Sequence, residues 1–341
     1  MQPNTSKIKQ YFFITCLAIL FYAGSGFAQQ IKGVPGNHLQ LPTKAFNISF
    51  RWLGDTVHSK WEPYTAILLP VKLRNCPKTF YLQFDLGHPS TILYKNKMKA
   101  IAARYPKAVK LGDSASLHHF AFRLGNANLV ATEISVQQFD TTGINWSNQH
   151  SMEIIGTAGA DLIDGNAVAI DYPARKIRIA PSFTEKITQG ISFSKFIYAR
   201  RSVLFPAQVN GKQTMLYFDT GSSMYELLTD KKTAEQMAVP GAPVQSSQVR
   251  SWDKFITART IEVNATISLA GQSIPIHAAT YMEGMSSAQM EGMVKMGIGG
   301  MTGNKLFLQY RLLLDTRNSK FALIPSVKNV HPRRIASAKQ K

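Results

Sequence analysis

The sequence predicts an all-β protein built as two homologous β-rich lobes around a central cleft, and three observations carry that expectation. Two short segments are nearly the same: Phe84-Asp85-Leu86-Gly87-His88-Pro89-Ser90 and Phe218-Asp219-Thr220-Gly221-Ser222-Ser223 each place an Asp after an apolar run and before a Gly turn. Each has a matching lead-in, Leu68-Leu69-Pro70 ending fifteen residues before Asp85 and Leu204-Phe205-Pro206 ending thirteen before Asp219. The second observation is a repeat further along. Gly159-Ala160-Asp161-Leu162 is followed by Asp171 and Pro181, and Gly303-Asn304-Lys305-Leu306 by Asp315 and Pro325; Gly to Asp is twelve residues and Asp to Pro ten in both halves. Each copy also has a Gly three residues earlier, Gly156 and Gly300. Third, short apolar stretches alternate throughout with Gly, Pro and Asn turns, the pattern of short strands.

Taken in chain order, residues 1–28 read as a signal peptide. Lys7 and Lys9 precede an apolar run from Tyr11 to Tyr22, and Gly26-Phe27-Ala28 is a small-x-small cleavage site. The run is short for a membrane span, and no later segment reaches the roughly 20 apolar residues that spanning requires. Residues 29–60 read as a lead-in, rich in Gly, Pro and polar residues, with room for an edge strand and for service as a removable cover. Residues 61–185 form the first lobe, with strands over Ala66–Leu73, Thr79–Phe84, Thr91–Tyr94 and Asn128–Val136 and a short helix over Lys97–Tyr105. The joint falls near Pro181–Gly190. The second lobe spans 190–326, with a helix at Lys231–Met237 in the equivalent place after the second Asp turn. A basic tail, 327–341, closes the chain.

Composition narrows the class. A chain of 341 residues, less a leader, has length for about two domains with sizeable cores. Of its two cysteines, Cys16 lies in the leader without a lipobox-like lead-in, so only Cys76 remains and no intramolecular disulfide forms. A core held by burial alone suits a periplasmic or bacterial secreted protein. Lys and Arg number 39 against 20 Asp and Glu, a net charge of +19. Such a balance favours anionic surroundings. No nucleic-acid motif accompanies it, so the charge reads as a solvated basic surface near an anionic envelope rather than as a nucleic-acid interface.

Two strands that each end by presenting one carboxylate are what a two-carboxylate catalyst needs. Carboxylates brought within about 3 Å share a proton, and the titration then belongs to the pair. One member serves as general base toward a water while the protonated member polarises a carbonyl, which hydrolyses a peptide bond without a covalent intermediate or a metal. The Gly in each motif lets the backbone turn tightly beside the carboxylate.

On these motifs the chain resembles the two-lobed, pepsin-like aspartic peptidases of the type without disulfides. Phe218-Asp219-Thr220-Gly221-Ser222-Ser223 is similar to that family's active-site signature, and Gly303-Asn304-Lys305-Leu306-Phe307-Leu308-Gln309-Tyr310, running on to Asp315 and Asn318-Ser319-Lys320, is similar to its C-terminal-lobe ending. The resemblance covers roughly residues 64–326. It implies a catalytic pair Asp85 and Asp219 at the floor of the cleft, with Gly87, Thr220, Gly221 and Ser222 supporting the two loops and a hairpin flap, placed near Leu111–Phe122, closing over a peptide or protein substrate. It implies a monomer without cofactor or metal. The first lobe departs from the family pattern. Leu86 stands where a Thr or Ser hydroxyl helps lock the two loops together, and His88 where a Ser often bonds the carboxylate; an imidazolium at His88 is expected to lower the pKa of Asp85. An exported endopeptidase is the leading expectation, and a catalytically weak or inactive pepsin-like protein binding peptides or an anionic envelope component is the alternative. A single-lobe enzyme acting as a homodimer is disfavoured, because both halves stand in one chain.

Other signals are weaker. His118-His119 has no partner at ligand spacing, and Asp161, Asp164 and Gly165 lack the alternating ligands of a calcium loop. Met282, Met285, Met290, Met293, Met296 and Met301 read as adaptable apolar surface along one cleft wall rather than as a Cu(I) site. Phe84, Phe218 and Tyr217 are expected to pack the floor.

Overall fold

The computed structural model describes residues 36–112, 114–139, 141–251, 254–283 and 297–326, with backbone alone at 250–251 and 254–255. The leader 1–28, the tail 327–341, and Met285, Met290, Met293 and Met296 lie outside the described residues. The architecture is the expected one: all-β, two β-rich lobes joined by a shared sheet. Among the described residues no helix is long and apolar enough to cross a membrane.

Each lobe has an eight-stranded sheet, and the two repeat one topology. The strand Thr79–Phe84 (TFYLQF) is buried on both faces and lies between Lys60–Leu73, antiparallel, and Ile154–Ala158, parallel. In the second lobe Lys212–Phe218 lies between Ser202–Val209, antiparallel, and Ile298–Thr302, parallel. Such two-sided burial is what continuous apolar runs next to a parallel neighbour reflect. The register repeats to the residue. Phe84 stands opposite Ala158 and Phe218 opposite Thr302. The next N–H, from Asp85 or Asp219, continues each ladder onto Ala158 O or Thr302 O at 3.0 Å. After each Asp turn the chain returns as a short strand, Ile92–Tyr94 or Leu227–Leu228, and then enters a helix, Lys95–Arg104 or Lys231–Gln236.

The repeated glycines now have a cause. Gly156 and Gly300 lie across from those return strands; a Cβ there would sit 2.2 Å from Ile92 O and 2.5 Å from Leu228 O. At Gly159 and Gly303 it would sit 2.5 Å from Ser90 C and 2.0 Å from Ser222 O. The backbone of each Asp loop therefore rests directly on a glycine of its own lobe. The repeated Asp residues of the lobe endings do local work. Asp171 Oδ1 accepts Ala174 N–H at 2.9 Å and Asp315 Oδ1 accepts Asn318 N–H at 3.0 Å, closing the hairpin turns that follow.

Those two hairpins join the lobes. Ala167–Asp171 pairs antiparallel with Tyr310–Asp315, Ile170 opposite Leu312, at the centre of a six-stranded sheet drawn from both halves. Of the lead-in 29–60, residues 36–60 are described, and they are woven into the fold rather than laid over it. Phe46–Ser49 forms one edge of the shared sheet against Lys176–Ala180, and Arg51–Val57 forms the edge of the first lobe's sheet against Lys60–Leu73. Phe46, Ile48 and Phe50 are buried. The main core runs through both lobes, and Phe205, Phe218, Phe307 and Phe321 stack behind the second Asp turn, with Phe205 and Phe321 ring centroids 4.3 Å apart.

Candidate active site

The two Asp turns meet across the lobe boundary. Gly87 N–H donates to Asp85 Oδ1 at 2.9 Å and also to Asp219 Oδ1 at 3.1 Å, so one amide hydrogen is shared by carboxylates from opposite lobes. Asp219 Oδ1 further accepts Gly221 N–H at 2.8 Å, and its Oδ2 accepts the Ser222 hydroxyl at 2.5 Å. A Cβ on Gly221 would lie 2.5 Å from Asp85 Cγ, so this glycine is what lets Asp85 reach the opposite loop. Both carboxyl groups are fully buried. Phe84 and Phe218 are fully buried beneath them, and Tyr217 is buried at the second lobe's smaller core.

Thr220 ties the loops together from one side. Its hydroxyl donates to Phe84 O at 2.9 Å and accepts Leu86 N–H at 2.8 Å, both in the other lobe. Leu86 has no hydroxyl to return, and its side chain is buried in the main core. Behind the second loop, Asn304 Nδ2 donates to Thr220 O at 2.9 Å and to Ser223 Oγ at 3.0 Å, while its Oδ1 accepts Tyr172 O–H at 2.9 Å. Behind the first loop, Asp161 accepts Thr91 N–H and Thr91 Oγ–H, each at 2.7 Å. Burial pushes the Asp161 carboxyl up from 3.8 to about 6, against the lowering effect of the Thr91 hydrogen bonds and the Arg201 charge.

Two expectations need correction. His88 is buried, and burial holds its imidazole below the ordinary value, with a hydrogen bond from Nδ1 to Ser90 O opposing that only in part. Burial thus works against the positive charge expected beside Asp85. The flap also differs from its expected place. Within 111–122 the strand Ser116–Leu124 lies flat in the sheet, paired with Ala127–Gln137, and their turn docks on the Asn47 backbone through Asn126 N–H at 3.2 Å. A hairpin of the second lobe also lies beside the site. Gln245–Ser251 pairs with Lys254–Leu269, and Val249 and Ile256 pack with Met224 and Tyr225, just past the Asp219 turn. Met301 is buried in that same small core, and Met282 packs against it.

Sequence reasoning did not single out the hairpin whose strands Arg51–Val57 and Lys60–Leu73 cross to the second lobe. Tyr64 O accepts the Ser223 hydroxyl at 2.7 Å, Glu62 pairs with Lys305 at 2.7 Å, and His58 Nδ1 lies 2.8 Å from Ser246 O. Arg201 was missed as well; it reaches the first Asp loop from the second lobe. Its neighbour Arg200, and the run of apolar residues that follows, was the available signal: a basic pair at a tight turn, where Asn-Gly is the usual choice.

No family model and no curated protein matches the chain. Among solved structures, an aspartic proteinase from Irpex lacteus matches over 83% of this chain and 98% of its own, at 11% identity and a TM-score of 0.46.

Proposed function

We propose that the chain is an exported aspartic endopeptidase in which Asp85 and Asp219 act as one unit. The observation that carries this reading is the Gly87 N–H shared between the two carboxylates. Placed side by side, they hold one proton between them. The ionised member takes a proton from a water as it attacks the scissile carbonyl, and the protonated member donates to the carbonyl oxygen. The resulting gem-diol collapses as a proton passes to the amide nitrogen, and the pair is restored. Gly87, Thr220, Gly221 and Ser222 keep the carboxylates in register. The N-terminal charge and apolar pattern support export, and the absence of any needed disulfide fits a periplasmic or secreted setting.

A second reading has its own observation. Thr220 links the loops without a reciprocal hydroxyl at Leu86, and both carboxyl groups are fully buried, so a slow or inactive protein that holds peptides in the same cleft is favoured if the site does not open. Incubation of the purified protein with a mixed peptide library from acidic to neutral pH, with and without a statine-type transition-state analogue, separates the two. Cleavage that the analogue blocks supports the endopeptidase. Analogue or peptide binding by the folded protein without cleavage supports the binding protein.

A further inference from the structure

We propose that Arg201 is a positioning residue for the Asp85 loop, a clamp from the opposite lobe that does the work a hydroxyl at position 86 would do. The proposal rests on the endopeptidase reading for its effect on rate. Arg201 Nη1 donates to Pro89 O at 3.2 Å and to Ser90 Oγ at 3.3 Å, and its Nε pairs with Asp164 Oδ2 at 3.0 Å. Its side chain is only 4% exposed. The guanidinium fork thus bridges the end of the Asp85 turn and the segment on which that turn rests, since Ala160 N–H donates to His88 O at 2.8 Å and Gly159 lies against Ser90.

Two further observations point the same way. Arg200 and Arg201 form the two-residue turn between Ile197–Ala199 and Ser202–Val209, with φ of 51° and 63°. Left-handed backbone at two consecutive non-glycine residues is strained, and Asn-Gly is the common solution for such a turn. Strain of this kind persists where the surroundings hold it, and here a buried guanidinium, charge-paired and hydrogen-bonded across the lobe boundary, does so. The arrangement also has a counterpart. Arg201 stands three residues before Leu204-Phe205-Pro206, as Thr65 does before Leu68-Leu69-Pro70, and Tyr64 beside it accepts the Ser223 hydroxyl. Each lobe therefore sends the segment ahead of its inner strand to the other lobe's Asp loop. On the second loop the backbone suffices, because Thr220 already grips the first lobe. On the first loop, where the Leu86 side chain offers no hydroxyl, the contact is an arginine.

The test uses the full mature protein with Arg201→Met and Arg201→Lys. Amide hydrogen exchange over 86–90 is expected to speed up at least tenfold in Arg201→Met, with exchange in the second lobe unchanged, and Arg201→Lys is expected to fall between. The turnover of a cleaved library peptide is expected to drop on the order of 10- to 100-fold in Arg201→Met with KM within about threefold, and to recover partly in Arg201→Lys. Wild-type exchange over 86–90, or wild-type turnover, in folded Arg201→Met overturns the proposal. So does acceleration spread evenly over both lobes with a lowered melting temperature, which makes Arg201 a general support. If Arg201→Met does not fold, Arg201→Lys carries the same two readouts. A wild-type protein that cleaves nothing overturns the endopeptidase reading instead, and the exchange measurement still decides the clamp.

Discussion

Removing the Thr220 hydroxyl while keeping its shape probes the joint between the lobes. In Thr220→Val the Phe84 carbonyl loses its donor at 2.9 Å and the Leu86 N–H its acceptor at 2.8 Å. Thr220 and Phe84 are fully buried and Leu86 is 1% exposed, so water does not replace either partner. A buried polar group left unsatisfied costs about 1–3 kcal/mol, and two of them about 2–6 kcal/mol together. That is a large part of a typical stability of about 5–15 kcal/mol. Thr220→Ser keeps both hydrogen bonds and gives up one buried methyl, so it should cost only about 1 kcal/mol. Equilibrium denaturation of the wild type and the two variants reads the difference directly. Cleavage by Thr220→Val should fall on the order of 100-fold, since loosening of about 1 Å between the carboxylates is enough for that. Equal stability of Thr220→Val and Thr220→Ser would refute the reasoning, because loss of the hydroxyl should outweigh the loss of one buried methyl.

Other outcomes follow from the same contacts. Asp161 titrates near 6 in the folded protein against 3.8 when free, so the folded state binds more protons between those values and stability should fall as pH rises from about 4 to 6, then level off. The span is at most about 3 kcal/mol, and Asp161→Asn should flatten it in a denaturation series against pH. Gly303→Ala forces a methyl to within 2.0 Å of Ser222 O, and calorimetry should show about 1–3 kcal/mol of destabilisation together with lost cleavage. Lys305→Met breaks the partly buried pair with Glu62, and there the loss should be about 1 kcal/mol.

Much of this was legible in the chain because the governing signals are local. Thr79–Phe84 is a bounded apolar run, and it is the strand its boundaries predict. The helix expected at Lys97–Tyr105 is found at Lys95–Arg104, and the one expected at Lys231–Met237 at Lys231–Gln236. The paired glycines could be read because only a residue without Cβ permits the contacts at Gly156, Gly159, Gly300 and Gly303. What stayed hidden depends on residues far apart in sequence. The grip of Thr220 on Phe84 and Leu86 spans more than 130 positions, and that of Arg201 on Pro89 spans 112. The lowered pKa of His88 follows from burial, which no spacing reveals. Phe46–Ser49 of the lead-in, which the sequence left as an edge strand or a removable cover, pairs with the distant Lys176–Ala180.

The central claim is that Asp85 and Asp219 work as a single unit. The kcat/KM of Asp85→Asn, Asp219→Asn and the double variant on one cleaved peptide tests it most directly. Each single change should reduce cleavage by about 1000-fold or more, and the double variant should be no worse than either, as expected for residues that act together. Either single variant retaining cleavage within about tenfold of the wild type would contradict the account.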